Sequence, residues 1–308
     1  MIGGCWDRLG MNAVNAKKIG VAAILGSSMM WALEPVLAKM AYRGSDFLQT
    51  AGMRAAVTCA VACCYGLITN RMSLKISKRE LPKLVYIAIA GTIAADTLYF
   101  YALTRIPVIN AVLIGHMQPI FIVLIGFFVF RENLSRFDYL GIGVMIVSGL
   151  MVSTRTVENL MSLRPGQAGD LYVLAATVLW ATTAIVMKKY LAGMNSGVIT
   201  FYRFAIASTV FAVYLGARGG EMTLNGYQVA VGFVTATGTI LYYEALKRIK
   251  AAQVGALELS TPLFAAVLVM FMPTETVTAM QFAGIGLLLC GVYLLSRDEK
   301  PVVTFIGD

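Results

Sequence analysis

Residues 99–106 read Tyr-Phe-Tyr-Ala-Leu-Thr-Arg-Ile, and residues 242–249 read Tyr-Tyr-Glu-Ala-Leu-Lys-Arg-Ile. The match continues outward in one register. At the same separation of 143 residues, Pro119 meets Pro262, Phe121 meets Phe264, Glu132 meets Glu275, and Gly141-Ile142-Gly143 meets Gly284-Ile285-Gly286. Upstream the separation is 149 residues, pairing Trp31-Ala32 with Trp180-Ala181, Lys39 with Lys188 and Arg54 with Arg203. The six-residue change falls between Arg54 and Tyr99, where the first copy carries the longer basic loop. A register held across several apolar segments marks an internal duplication.

The solvent of this duplicated unit follows from composition. Of 308 residues, 58% are apolar and 13% charged, against roughly 45–50% and about 25% in soluble domains. A soluble chain of this size has too little interior for that much apolar surface. A soluble enzyme, a disordered hub and a disulfide-stapled secreted domain are thereby excluded. The net charge of +9 is dispersed along the chain, as in membrane orientation charge and unlike a nucleic-acid footprint. His116 is the single histidine, so no site of two or three His ligands exists, and no metal site is expected. The five cysteines form no CxxC pair and read as small apolar packing residues in a reducing compartment.

A bilayer core about 30 Å thick takes about 20 apolar residues per helix. That length places ten spans, near 19–42, 47–69, 83–104, 108–130, 137–154, 169–191, 197–217, 226–247, 252–272 and 278–296. The first is too long for a signal-peptide core and reads as a retained helix. With the N-terminus cytoplasmic, 17 of the 25 Lys and Arg residues fall in inner segments and 6 in outer ones. The excess of inner positive charge sets both termini in the cytoplasm of a multi-pass protein of the plasma (inner) membrane. The expected organisation is a cytoplasmic segment 1–18, a first five-helix repeat 19–155, an external linker 156–168, a second repeat 169–297 and a cytoplasmic tail 298–308.

Five spans is an odd number, so the second copy starts on the opposite side of the membrane. The fold class expected is therefore all-α integral membrane, ten transmembrane helices in two inverted five-helix repeats. Such repeats, related by a pseudo-twofold axis in the membrane plane, are the architecture of alternating-access carriers, with the substrate site at the midplane between them.

These residues together resemble the drug/metabolite transporter superfamily, in its ten-helix branch built from two EamA-type repeats. The resemblance rests on Trp31-Ala32 with Lys39, Arg54, Tyr99 to Leu103, and Pro119 thirteen residues before Glu132, each answered in the second copy by Trp180-Ala181 with Lys188, Arg203, Tyr242 to Leu246, and Pro262 before Glu275. It spans about residues 19–297. It implies a secondary transporter of small organic metabolites with a central cavity; relatives carry amino acids, amines, sugars and nucleotide conjugates. The sequence departs from the general pattern at Glu34-Pro35, answered by Thr183-Ala184, and at His116 and Glu258.

A charge at the bilayer centre costs roughly 2.5–3.5 kcal/mol on insertion scales, so such residues usually line a cavity and act there. Four candidates stand away from helix ends: Glu34 beside the helix-kinking Pro35, Asp96, His116 and Glu258. Ser27, Trp31, Glu34 and Ala38 share a helical face; Asp96 shares one with Thr92 and Tyr99, and its counterpart Thr239 shares one with Thr235 and Tyr242. Trp31, Glu34, Asp96, Tyr99, His116, Trp180, Thr239, Tyr242 and Glu258 form the expected substrate- and proton-binding set. Arg54 and Arg203 are read as structural, with Glu258 a partner for Lys188 or Arg203. Three carboxylates and one imidazole favour a cation or an amine-bearing zwitterion, with aromatic rings adding cation–π contacts. Proton coupling through Glu34 or Asp96 is expected, with no cofactor.

The remaining partners are the lipid bilayer and a small-molecule substrate, with no nucleic acid, in a monomer or homodimer. The chain carries no GxSxG, HExxH, DxxD or GxxxxGK[ST] motif, so neither a membrane enzyme nor direct ATP drive is expected. An exporter of neutral or drug-like metabolites without proton coupling, a channel and a membrane scaffold are the alternatives.

Overall fold

The structure, a computed structural model, describes residues 13–70, 76–130, 134–161, 166–191, 193–219, 223–249, 254, 257–272 and 275–296. The described residues form helices and connecting turns, with no strand among them. This is what lipid demands: every backbone polar group must find its partner within the segment, and a helix supplies that.

Among the described residues, eight helices are long and apolar enough to cross a membrane. They are α1 (Ala13–Ala41), α2 (Phe47–Asn70), α3 (Leu81–Leu103), α4 (Val108–Val129), α5 (Arg136–Thr154), α6 (Ala168–Leu191), α7 (Ser196–Arg218) and α8 (Gly226–Arg248). Two shorter apolar helices follow, α9 (Ser260–Met270) and α10 (Ala279–Ser296). A single turn of helix, Val157–Met161, lies between α5 and α6. Several starts are capped at the segment ends: Ser135 and Asp138 exchange hydrogen bonds at α5, as do Asn225 and Gln228 at α8.

Two expected spans are interrupted by turns. The span at 108–130 is broken, turning at His116-Met117 between Val108–Gly115 and Gln118–Phe130. The span at 252–272 is broken by a turn at Leu259, with helical residues at Leu257-Glu258 before it and Ser260–Met270 after it; most of 250–256 lies outside the described residues. The cause is the same in both. Pro119 and Pro262 have no N–H, so the carbonyls of Gly115 and Glu258 lose their helical donor. In the second case Ser28 Oγ contacts the Glu258 carbonyl instead, at 3.4 Å. α3 carries a further irregularity, π-helical winding over Ile87–Ala94, and α6 ends in a π turn over Met187–Leu191.

The helices pair in a definite pattern. α1 lies along α8, and α3 lies along α6. α2 lies along α7, and α5 along α10. Glycines set the closest approaches, as usual in membrane bundles. A Cβ at Gly141 would sit 2.9 Å from the Gly291 carbonyl, and one at Gly284 would sit 2.9 Å from Val152. Gly143 and Gly286 of the same Gly-Ile-Gly motifs face open space. Large apolar side chains point outward, among them Phe128, Ile146, Leu150, Val213, Phe233 and Val267, which forms a surface suited to lipid.

Candidate functional site

The bundle encloses a cavity of about 550 Å³ lined from α1, α2, α3, α4, α6, α7, α8, the turn that begins α9, and α10. Its wall runs to one end of the bundle only, where Leu191, Met194, Ser196, Lys247 and Leu295 line it. At that mouth Glu244 accepts hydrogen bonds from Ser196 Oγ at 2.7 Å and Lys247 Nζ at 2.8 Å, and pairs with Arg248. The opposite end is shut. There Lys39 and Glu275 form an ion pair at 2.5 Å, and the other Glu275 oxygen accepts from the Val108 N–H at 2.8 Å. The rings of Phe47, Tyr101 and Tyr172 pack at steep angles across the same end, with centres 5.2 and 5.1 Å apart.

A buried ionic knot stands in the cavity wall. Arg54 on α2 donates from Nε to Glu34 and from Nη1 to Asp96, both at 2.6 Å. Its Nε also reaches Thr235 Oγ1 at 3.0 Å, and Thr235 in turn donates to Glu34 at 2.8 Å. Trp180 donates its indole N–H to the other Asp96 oxygen at 2.9 Å. The guanidinium lies 5.0 Å from the Phe100 ring centre and 5.5 Å from that of Phe204. Arg54, Glu34 and Asp96 are each at least nine-tenths buried. Charges that deep persist only when paired and hydrogen-bonded. The knot joins α1, α2, α3, α6 and α8 at one point.

The second arginine is held differently. Arg203 on α7 donates from Nε to Thr92 Oγ1 at 2.7 Å and from Nη2 to the Gly91 carbonyl at 3.2 Å. Gly91 lies in the π-helical stretch of α3, and Trp180 contacts the same carbonyl at 3.1 Å. No described carboxylate pairs with Arg203. The positions matching Glu34 and Asp96 in the second copy are Thr183 and Thr239.

All nine residues expected from the sequence line this cavity: Trp31, Glu34, Asp96, Tyr99, His116, Trp180, Thr239, Tyr242 and Glu258. The structure brings them together in pairs. Trp31 packs on Tyr242 with ring centres 5.0 Å apart, and Trp180 packs on Tyr99 at 5.2 Å. His116 turns back on its own helix, its Nδ1 2.7 Å from the Val112 carbonyl. Glu258 has neither ion pair nor hydrogen bond to its carboxylate among the described residues. It does not pair with Arg203, and the Lys188 side chain lies outside what the structure describes. Thr239 lines the wall, but Thr235, one turn earlier, carries the hydrogen bond.

Arg54 and Arg203, read as structural, line the cavity wall, and Arg54 there holds Glu34 and Asp96 in place. One correction to the sequence reading follows. The wall is accordingly less negative than three carboxylates and one imidazole imply, since Arg54 engages two of the three. The signal was present in the duplication. Arg54 with Arg203, and Thr92 with Thr235, are matched pairs in the two registers, and polar residues matched across both copies inside apolar spans belong together in a cavity.

Comparison with known proteins gives the family. The model of the EamA-like transporter family matches twice, over residues 18–154 and 167–297. An uncharacterized transporter of Methanothermobacter thermautotrophicus is 26% identical over 231 residues, covering 73% of this chain and 67% of that one. The pseudopaline exporter CntI of Pseudomonas aeruginosa is 22% identical over 237 residues, covering 76% and 81%. A solved crystal structure at 20% identity aligns with a TM-score of 0.63 over 93% of this chain and 100% of its own, a likeness of fold. With both halves matched and eight membrane-length helices around an internal cavity, this chain belongs to the EamA-like transporter family and is a multi-pass membrane transporter.

Proposed function

We propose that the protein is a secondary active transporter of a small, amine-bearing organic metabolite, working by alternating access between two inverted repeats. The observation that carries this reading is the cavity itself. It is internal, walled mainly by apolar and aromatic side chains with a few charged groups among them, and open at one end while the other is sealed by Lys39, Glu275 and three rings packed edge to face.

Several observations support the inverted repeat. Exchanging the two halves of the chain maps the α1–α8 pair onto α6–α3 and leaves the α2–α7 and α5–α10 pairs in place. It also maps Trp31 on Tyr242 onto Trp180 on Tyr99. The N-terminal turns of α1 pack at Ile249, at the mouth, whereas the start of α6 packs at Ile106, at the sealed end. Two equivalent units of opposite direction have two equivalent arrangements, and exchanging them moves the opening to the other side. By the positive-charge bias the present mouth is cytoplasmic, and both termini lie on that side in the plasma membrane. Ten spans are then completed by α9 and α10 with their flanking residues.

An amine is favoured by the Glu258 carboxylate, which has no partner among the described residues, and by the four aromatic rings around the cavity. Movement rests on ion or substrate gradients and no cofactor. Proton coupling at Glu34 or Asp96 requires breaking a 2.6 Å ion pair to Arg54; Glu258 has no such pair among the described residues. The test is counterflow in proteoliposomes across amino acids, polyamines, quaternary amines, sugars and nucleobases, with and without a pH gradient. Saturable exchange accelerated by unlabelled compound inside the vesicle is expected. Absence of any exchange, or unsaturable leak, contradicts the reading.

A further inference from the structure

We propose that Arg203 is the anion-binding pole of the cavity and that the transported molecule carries both an ammonium and a carboxylate, the latter seated on Arg203 and the former on Glu258. The proposal rests on the transport reading and narrows its substrate.

The duplication supplies the argument. Arg54 and Arg203 are matched residues, and each gives its Nε to a threonine of the opposite half. Around Arg54 the charge is closed, with two carboxylates at 2.6 Å. Around Arg203 the same two positions hold Thr183 and Thr239. Arg203 is anchored through Nε and Nη2 and also hydrogen-bonds the Tyr243 hydroxyl, which still leaves part of its donor fork unused by any described carboxylate. A guanidinium presents its donors in a planar fork that matches a carboxylate. It is thus fixed in orientation with donor capacity left over, in the wall of the cavity.

Glu258 is the complementary case. It sits at the turn before α9, its carbonyl released by Pro262, and lines the same cavity without a described cationic partner. Buried charges are costly unless paired. A plain amine satisfies Glu258 and leaves Arg203 open. A plain acid does the reverse. A zwitterion closes both at once. Trp31 and Tyr242, packed together near Glu258, supply ring faces for the ammonium.

The test uses matched pairs of compounds on the full-length protein in detergent, each amino acid against the amine left when its carboxylate is removed: phenylalanine with phenethylamine, leucine with isoamylamine, lysine with cadaverine, arginine with agmatine. Ligand that binds the native state raises the melting temperature. For the side chain the cavity accepts, the amino acid should reach its half-maximal shift at a concentration at least tenfold below that of its amine. In Arg203→Gln this preference should collapse to within about twofold, with the amine's own midpoint unchanged. Arg203→Lys, which keeps charge and loses the fork, should retain part of it. Glu258→Gln should weaken both compounds. A merely structural Arg203 would alter stability and leave the acid-to-amine ratio alone. An amine that binds as well as its amino acid in the wild type, a ratio that survives Arg203→Gln, or no shift with any pair overturns the proposal. Counterflow of plain amines, sugars or nucleobases in those circumstances leaves the transport reading standing; absence of all exchange removes both.

Discussion

Arg54 and Arg203 occupy matched positions on α2 and α7, and each donates from Nε to a threonine of the other half, Arg54 to Thr235 at 3.0 Å and Arg203 to Thr92 at 2.7 Å. The two crossings stitch the halves together around the cavity. Their surroundings differ, because Glu34 and Asp96 close the charge on one side only. The first arginine holds the bundle; the second faces the space that a substrate would enter.

Removing Arg54 leaves two carboxylates buried without a cation. Breaking such a pair from one side costs about 3–5 kcal/mol. Arg54→Ala is therefore expected to lower the melting temperature of the detergent-solubilised protein strongly. The triple variant adding Glu34→Gln and Asp96→Asn should regain a large part of the loss. A stable Arg54→Ala protein would show that the ion pairs are not formed.

The two tryptophans are matched in sequence and unequal in bonding. Trp180 donates to Asp96 and contacts the Gly91 carbonyl, whereas the Trp31 indole N–H has no acceptor among the described residues. Trp180→Phe should destabilise the protein by about 1–3 kcal/mol, the cost of an unmet partner at a buried charge. Trp31→Phe keeps a ring against Tyr242 and should cost less. Thermal unfolding of the two variants side by side decides this.

The sealed end depends on Lys39 and Glu275. In a cysteine-free background, Leu103→Cys places a thiol at a fully buried position of that end. It should resist a membrane-impermeant maleimide. Adding Lys39→Ala should make it reactive, since the Glu275 carboxylate then loses its cation. Unchanged protection would place the seal elsewhere.

A second polar network lies at the same end and touches no cavity residue. Gln281 donates to Asn110 at 2.6 Å, Asn110 contacts Asp170 at 3.4 Å, and Ser153 donates to Asp170 at 2.7 Å. It ties α4, α5, α6 and α10 together. Asn110→Ala should lower stability by about 1–3 kcal/mol, while the concentration for half-maximal exchange stays within twofold of wild type. A large change in that concentration would assign the network a part in binding.

Much of this was legible in the sequence, for physical reasons. Lipid enforces long apolar helices, so their positions could be read by length alone, and the duplication in Trp31-Ala32, Arg54 and Tyr99 to Ile106 gave their pairing. The nine polar and aromatic residues that line the cavity stood out because charge and hydroxyl groups are costly in mid-span. What could not be read was which charges meet. Arg54 lies close in sequence to the start of α2 and looked interfacial, yet a long side chain reaches far along a helix, and here it reaches Glu34 and Asp96. The breaks before Pro119 and Pro262 were hidden because proline is common inside membrane helices. The Asn110–Gln281–Asp170 network joins residues far apart in the chain, and nothing local marks it.

The central claim is that the two ends open in turn. Spin labels on Arg43→Cys with Thr104→Cys report the sealed end, and labels on Phe128→Cys with Gly193→Cys report the mouth, all at exposed positions. Inter-label distances should be measured for both pairs, with Lys39 intact and with Lys39→Ala. The account predicts opposite changes: the sealed-end distance lengthens as the mouth distance shortens. Both pairs lengthening together, or the sealed end opening with the mouth unmoved, would contradict it.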